Sequence, residues 1–176
     1  MVCRLMGLSD PRLAGSRNPG ATNVLRLHGK RAAILTLAGD LLKGLIPVLI
    51  GKLLGLPDPV LAAMGLAAFL GHLYPVFFGF QGGKGIATFI GVIYAFAWPI
   101  GVIFMLTWGI IALLFHYSSL AALVASAVSV FSVGYWLPKP WYTIATLIMV
   151  VLIFWRHKAN IKKLIAGNER RIGEKD

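Results

Sequence analysis

The sequence predicts an all-α, polytopic membrane protein of six helical spans in a single domain, residues 1–176, and three observations carry that prediction. Of the 176 residues, 58% are hydrophobic and 13% charged, with a mean hydropathy of +0.79, too apolar for a chain that folds in water. Apolar runs of span length recur between short stretches of polar residues, glycine or proline. The cations border those runs and do not pattern a soluble face, so the formal charge of +11 reads as a set of topology determinants and implies no nucleic-acid partner. The single cysteine, Cys3, excludes an internal disulfide.

Residues 1–31 form a polar lead-in with Arg4, Arg12, Arg17, Arg26, Lys30 and Arg31, and no span fits there. A first span is expected over about 32–54 and a second over about 60–78. The apolar block 86–115 is too long for one helix, since thirty residues reach ~45 Å against a ~30 Å hydrocarbon core. Pro99, beside Trp98, marks a hairpin that divides it. A further span leads from the turn at 117–119 to about Leu137, Pro138, Lys139 and Pro140 make a turn, and the last span covers 141–155. The transmembrane region is thus 32–155, followed by a basic tail, 156–176.

That tail carries Arg156, Lys158, Lys162, Lys163, Arg170, Arg171 and Lys175. The positive-inside rule then places both chain ends in the cytoplasm and requires an even number of spans. Six spans leave only Lys52 and Lys139 outside, with Lys43 inside a span. They also bring Ser16, Lys84, the turn at Tyr117 and the tail to one side, so the polar clusters face the cytoplasm.

The stretch GHLYPVFFGFQGGKGIAT, residues 71–88, is the most informative of these clusters. Gly79, Gly82, Gly83 and Gly85 surround Lys84 just ahead of a helix expected from Ile86. Backbone N–H groups, the positive end of that helix and one ammonium group would converge there, an arrangement suited to a phosphate. The nucleotide P-loop spacing is absent: only Phe80, Gln81 and Gly82 separate Gly79 from the Gly83-Lys84 pair, and Gly85 stands where a magnesium-holding Ser or Thr is needed. The same spacing also suits a plain glycine turn with a positive-inside lysine.

Three further groups carry polar chemistry. Gly15, Ser16, Arg17, Asn18, Pro19, Gly20, Ala21, Thr22 and Asn23, with Arg26 after them, offer donors to an anion, or else form a solvated lead-in with Thr22 or Asn23 as helix cap. His157 and Asn160 share a helix face in the tail with Glu169 further on, a pattern that also fits an amphipathic helix on anionic headgroups. His72 and Pro75 mark either a ligand-facing kink or helix packing, and Asp40 with Lys43, one turn apart in the first span, reads as an orienting ion pair.

GSRNPGATN with Arg26, the 71–88 stretch and RHKANIKKLIAGNE resemble, in order and over essentially the whole chain, the three signature motifs of the PlsY family. These are bacterial membrane enzymes that acylate glycerol 3-phosphate from acyl phosphate. The resemblance implies a family fold of seven transmembrane helices in the bacterial cytoplasmic (inner) membrane, with the active site on the cytoplasmic face. It implies acyl transfer from acyl phosphate to the 1-hydroxyl of glycerol 3-phosphate, giving 1-acylglycerol 3-phosphate (lysophosphatidate) and phosphate, the first acylation of phospholipid synthesis. Matching positions give Ser16, Arg26, His157, Asn160 and Glu169 as catalytic residues. Substrate phosphates fall to Gly82, Gly83, Lys84, Gly85 and Thr88, to Asn18, Thr22 and Asn23, and to Ser118 and Ser119. Arg17 stands where a glycine is usual and Gln81 where a lysine is common. Residues 1–4 resemble the cytoplasmic end of the family's first helix, which implies that most of that helix is missing and that the start is truncated or placed late.

The residues present suit that chemistry. An acyl phosphate is a mixed anhydride that already carries its leaving group, so catalysis reduces to orienting two anions and stabilising a developing oxyanion. Arg26, Lys84 and loop amides can do so, whereas Asp10, Asp40, Asp58, Glu169, Glu174 and Asp176 form no metal cluster; neither metal nor cofactor is expected. His157 is a candidate base, and the resemblance offers the donor's own phosphate as another. The His-x4-Asp acyltransferase pattern is absent. Expected partners are acyl phosphate, glycerol 3-phosphate, membrane lipids and an acyl-phosphate-forming enzyme to which the reaction is coupled. The competing reading is a small transporter or channel for a phosphorylated anion, but such proteins set ionisable groups near the bilayer midplane, where this chain has only Asp40 and Lys43.

Overall fold

A computed structural model describes residues 2–174; Met1 at the start, and Lys175 and Asp176 of the expected tail, lie outside the described residues. The regular elements described are helices: α1 (Val2–Leu5), α2 (Ala21–Leu53), α3 (Asp58–Leu73), α4 (Ile86–Phe96), α5 (Trp98–Phe115), α6 (Ser118–Trp136), α7 (Pro140–Arg156) and α8 (Lys158–Ile165). Each of the six expected apolar stretches forms a helix. Among the described residues, Ala21–Leu53, Asp58–Phe78, Trp98–Phe115 and Ser118–Trp136 are long and apolar enough to cross a bilayer, and α7 with α8 makes a fifth when the bent pair is counted as one. That pair turns by 60° at His157, and α8 carries Lys158, Lys162 and Lys163, so the apolar span ends at Arg156.

The sixth stretch, α4, has 11 residues, about 16 Å and half a hydrocarbon core. Its brevity follows from its position at the centre of the bundle, where protein and not lipid surrounds it. Thr88, Phe89, Ile90, Gly91, Val92, Ile93, Ala95 and Phe96 are all buried. Small residues let the neighbouring backbones close on it: a Cβ on Gly44 of α2 would lie 2.3 Å from the Thr88 carbonyl oxygen, and one on Gly91 would lie 2.1 Å from that of Leu41. Phe89 stands edge-on between Phe69 of α3 and Phe104 of α5. A short central helix leaves the loop before it recessed among its longer neighbours.

The hairpin at Pro99 forms through a single extended residue, Ala97, with Pro99 in the first turn of α5. α2 begins earlier than the expected span. Its N-cap is Gly20, without a side-chain hydrogen bond, so neither Thr22 nor Asn23 caps it, and its direction is reset at Gly29 (φ 82°) before the apolar part begins. Cys3 of α1 packs with Val24, Ala32 and Ala33 on that segment. At the far end of the bundle, Asp58 accepts from Lys139 and, at 2.8 Å, from the Tyr142 hydroxyl, while Lys52 donates to the Phe96 carbonyl at 2.7 Å. The two cations expected outside therefore latch α2, α3, α4 and α7 together at one end. Lys84 and the motif residues occupy the other.

Candidate active site

The glycine loop is built by close packing. After α3 the chain makes a 3-10 turn, Val76–Phe78, and passes through Gly79 and Phe80, both left-handed. The Gly82 amide donates to the Leu73 carbonyl, and a Cβ at Gly82 would lie 2.0 Å from the His72 carbonyl oxygen. One at Gly83 would lie 2.3 Å from His72 Nε2, so the loop rests directly on the end of α3. On its other side Arg156 donates from Nη2 to the Gly82 carbonyl at 2.7 Å and from Nε to that of Gly83 at 3.2 Å. In a trans peptide the N–H points opposite to the C=O, so the amides of Gly83 and Lys84 are turned away from Arg156. Gly85 (φ 89°) then starts α4, whose first hydrogen bond runs from Phe89 N to Gly85 O and leaves the amides of Ile86, Ala87 and Thr88 without an intrahelical acceptor.

Lys84 ties this loop to the rest of the chain. Its Nζ donates to Asn160 Oδ1 at 2.5 Å; Asn160 Nδ2 donates to Glu169 Oε1 at 2.6 Å, and Ser119 Oγ donates to the same oxygen at 2.6 Å. Glu169 reaches this point because the chain reverses after α8 at Gly167 (φ 69°), after which Ile172 N donates to the His116 carbonyl and Arg171 covers the Tyr117 ring. Burial lowers the pKa of Lys84, Glu169 raises it, and Lys163, Arg26 and Arg156 add to the lowering. His157 is buried, with Nδ1 2.8 Å from the Ile153 carbonyl, so Nδ1 carries the proton and Nε2 holds the lone pair. Burial first and the Lys84 charge second push its pKa down to about 4.

The first motif forms a separate loop laid against the glycine loop. Asn23 is its brace: buried, it accepts the Ser16 amide at 3.0 Å and donates to the carbonyls of Pro11 and Ala14. Arg12, held by Asp10, donates to the Phe78 carbonyl at 3.2 Å and lies over the Phe78 ring. Ser16, Thr22 and Arg26 are exposed and Asn18 half-buried; Arg26 acts on Lys84 electrostatically. Ser118 opens α6.

Of the expected residues, direct hydrogen bonds join Lys84, Asn160, Glu169 and Ser119, with His157 and Arg26 in electrostatic contact. Three expected phosphate ligands have their side chains committed to protein partners, Ser119 among them through its hydrogen bond to Glu169. Asn23 is spent on bracing its loop, and the Thr88 hydroxyl donates to the Asp40 carbonyl at 2.9 Å within the α2–α4 contact. The sequence assigns no site role to Arg12 or Arg156; Arg156 opens the third motif string, RHKANIKKLIAGNE, of which only His157, Asn160 and Glu169 are expected at the site. His72 lies against the glycine loop, with Nδ1 3.5 Å from the Asp40 carboxylate, itself paired with Lys43 at 2.6 Å, and all three border a cavity.

The family model described as glycerol-3-phosphate acyltransferase matches residues 1–167. A glycerol-3-phosphate acyltransferase of Methylococcus capsulatus is 56% identical over 99% of this chain and 88% of that protein, and one of Thioalkalivibrio sulfidiphilus 51% identical over 99% and 86%. The crystal structure of PlsY (YgiH), an integral membrane glycerol 3-phosphate acyltransferase, superposes in its glycerol 3-phosphate form with a TM-score of 0.92 and 40% identity, over 98% of this chain and 86% of that one. Its lysophosphatidic acid form gives 0.90 and 39%, with the same coverage. A glycine loop fastened to Asn160 and Glu169 in an all-helical membrane bundle, together with these matches, places the chain in the glycerol-3-phosphate acyltransferase family, as an integral membrane acyltransferase.

Proposed function

We propose that the chain transfers an acyl group from acyl phosphate to the 1-hydroxyl of glycerol 3-phosphate on the cytoplasmic face of the bacterial cytoplasmic membrane, coupled to an enzyme that forms acyl phosphate. The observation that carries this reading is the hydrogen-bonded chain from Lys84 through Asn160 and Glu169 to Ser119. It holds one ammonium group beside amides that point away from Arg156, which suits a phosphate monoester. The similar solved structure has forms with glycerol 3-phosphate and with lysophosphatidic acid, the acceptor and the product of such a transfer.

In the reaction the acceptor hydroxyl oxygen bonds to the acyl carbonyl carbon, the bond from that carbon to the phosphate oxygen breaks, and phosphate leaves with the electron pair. The hydroxyl proton goes to a phosphate oxygen of the donor. Burial pushes the His157 pKa down to about 4, which makes it a poor proton acceptor at neutral pH, so its part is to orient the hydroxyl through its Nε2 lone pair. The test uses purified protein in liposomes supplied with acyl phosphate, acyl-CoA or acyl carrier protein as donor. Turnover with acyl phosphate alone is expected; equal turnover with a thioester donor and none with acyl phosphate would overturn the assignment.

A further inference from the structure

Two cavities meet at the glycine loop. The smaller, about 440 Å³, is a cleft between the first-motif loop and residues 80–82, lined by Arg12, Arg17, Pro19, Gln81, Gly82 and Arg156. The larger, about 1090 Å³, shares Arg12, Pro19, Gln81 and Gly82 with it and continues between Val2, Leu5, Leu8, Phe77 and Phe78, with Arg4, Asp10, His72 and the paired Asp40 and Lys43 also on its wall. A cationic cleft thus opens into a larger cavity whose walls are mainly apolar, with the Asp40 and Lys43 pair on one side. That shape suits an anionic head carrying one apolar chain.

Only one of the three cations in the cleft is uncommitted. Arg12 is held by Asp10 and Arg156 by the Gly82 and Gly83 carbonyls, whereas Arg17 is exposed and its guanidinium makes no hydrogen bond or ion pair among the described residues. Its backbone is left-handed, φ 56°, a conformation that disfavours an L residue with a long side chain. The turn holds it there: the Arg17 amide donates to the Ala14 carbonyl, and the preceding Ser16 amide to Asn23. A residue kept in this region by its surroundings points to a use for its side chain, and this side chain lines the cleft.

We propose that cleft and cavity together bind a phosphate-headed, single-chain amphiphile, with Arg17 as the cation that recognises the phosphate. That the amphiphile is the acyl phosphate donor rests on the acyl-transfer reading above; that a site exists does not. Glycerol 3-phosphate is then held by Lys84 and the donor by Arg17, so the two anions are recognised by different cations.

The test compares parent, Arg17→Gly and Arg17→Lys proteins, full-length and in phosphatidylcholine nanodiscs. Glycine accepts a positive φ, so Arg17→Gly is expected to melt no lower than the parent. Its KM for acyl phosphate should rise roughly three- to ten-fold while that for glycerol 3-phosphate stays within about two-fold, and Arg17→Lys should recover most of the difference. A second arm needs no turnover: titration with lysophosphatidate and with monoacylglycerol, which lacks the phosphate. Arg17→Gly should weaken the former by a similar factor and leave the latter unchanged. If the parent does not use acyl phosphate, the acyl-transfer reading fails while this arm still decides the site. Unchanged lysophosphatidate affinity in Arg17→Gly, or competition by phosphatidylglycerol as strong as by lysophosphatidate, would overturn the proposal.

Discussion

Lys84 Nζ and Asn160 Oδ1 lie 2.5 Å apart across 76 residues of sequence. That hydrogen bond fastens the glycine loop before the central helix to a surface helix after the last span. Asn160 is itself held by Glu169, and Glu169 by Ser119 at the start of α6. The loop, α6, α8 and the returning tail are therefore one polar unit set on an apolar bundle.

Glu169 is the junction of that unit, since one carboxylate oxygen accepts from two side chains. Glu169→Ala leaves the Asn160 amide and the Ser119 hydroxyl without their acceptor, and each part-buried orphan costs about 1–3 kcal/mol. A loss of kcat/KM on the order of a hundred-fold is expected. Glu169→Gln keeps an oxygen acceptor and should lose about ten-fold. Steady-state kinetics on the two variants checks the ordering, and equal losses would mean that the charge alone matters.

Arg156 shapes the loop by binding two successive carbonyls, which a single ammonium group cannot do in the same fork geometry. Arg156→Lys keeps the charge that fixes topology yet is expected to raise KM for glycerol 3-phosphate about ten-fold or more. Amide hydrogen exchange over residues 82–85 should quicken in parallel. Unchanged exchange together with unchanged KM would remove Arg156 from the loop's support.

Gly83 has a packing reason for being glycine. A Cβ there would lie 2.3 Å from His72 Nε2, so Gly83→Ala should lower the melting temperature, at an overpacking cost of about 1–3 kcal/mol. Shortening the colliding ring in the Gly83→Ala, His72→Ala double variant should restore part of that loss relative to the sum of the singles. Strict additivity would show that the two positions do not meet.

His157 gives stability a pH dependence of known sign. Its ordinary pKa is 6.5 and the folded value is about 4, so between those limits the unfolded chain binds a proton that the folded chain does not. The neutral ring's contribution is complete above pH 6.5 and is lost as pH falls toward 4, up to about 3 kcal/mol in all. Melting curves in detergent across this window should slope less steeply for His157→Gln than for the parent. Parallel slopes would contradict the depressed pKa.

Much of this was legible in the sequence because membrane spans are written as long apolar runs and motif residues as contiguous strings. The hairpin at Pro99 and the grouping of Lys84, Asn160, Glu169 and Ser119 at one end follow from that. The short central helix was harder to see, since residues 86–96 are as apolar as any span and only their enclosure by α2, α3 and α5 shows why 11 residues suffice. Asn23 and Thr88 illustrate the same limit: a polar residue inside a motif reads as a ligand, yet both side chains hold backbone together. Arg12 and Arg156 were hidden for the opposite reason, because a cation beside a span is explained by topology before any contact is known, even where, as with Arg156, it opens a motif string.

The most direct test of the account is product formation by parent and Lys84→Ala proteins in liposomes with acyl phosphate and glycerol 3-phosphate. The parent should yield 1-acylglycerol 3-phosphate, and the variant should lose roughly ten- to hundred-fold in kcat/KM for glycerol 3-phosphate, the worth of one charge-assisted hydrogen bond. No product from the parent, or a variant with parental kinetics, would contradict the claim that this loop binds the acceptor for acyl transfer.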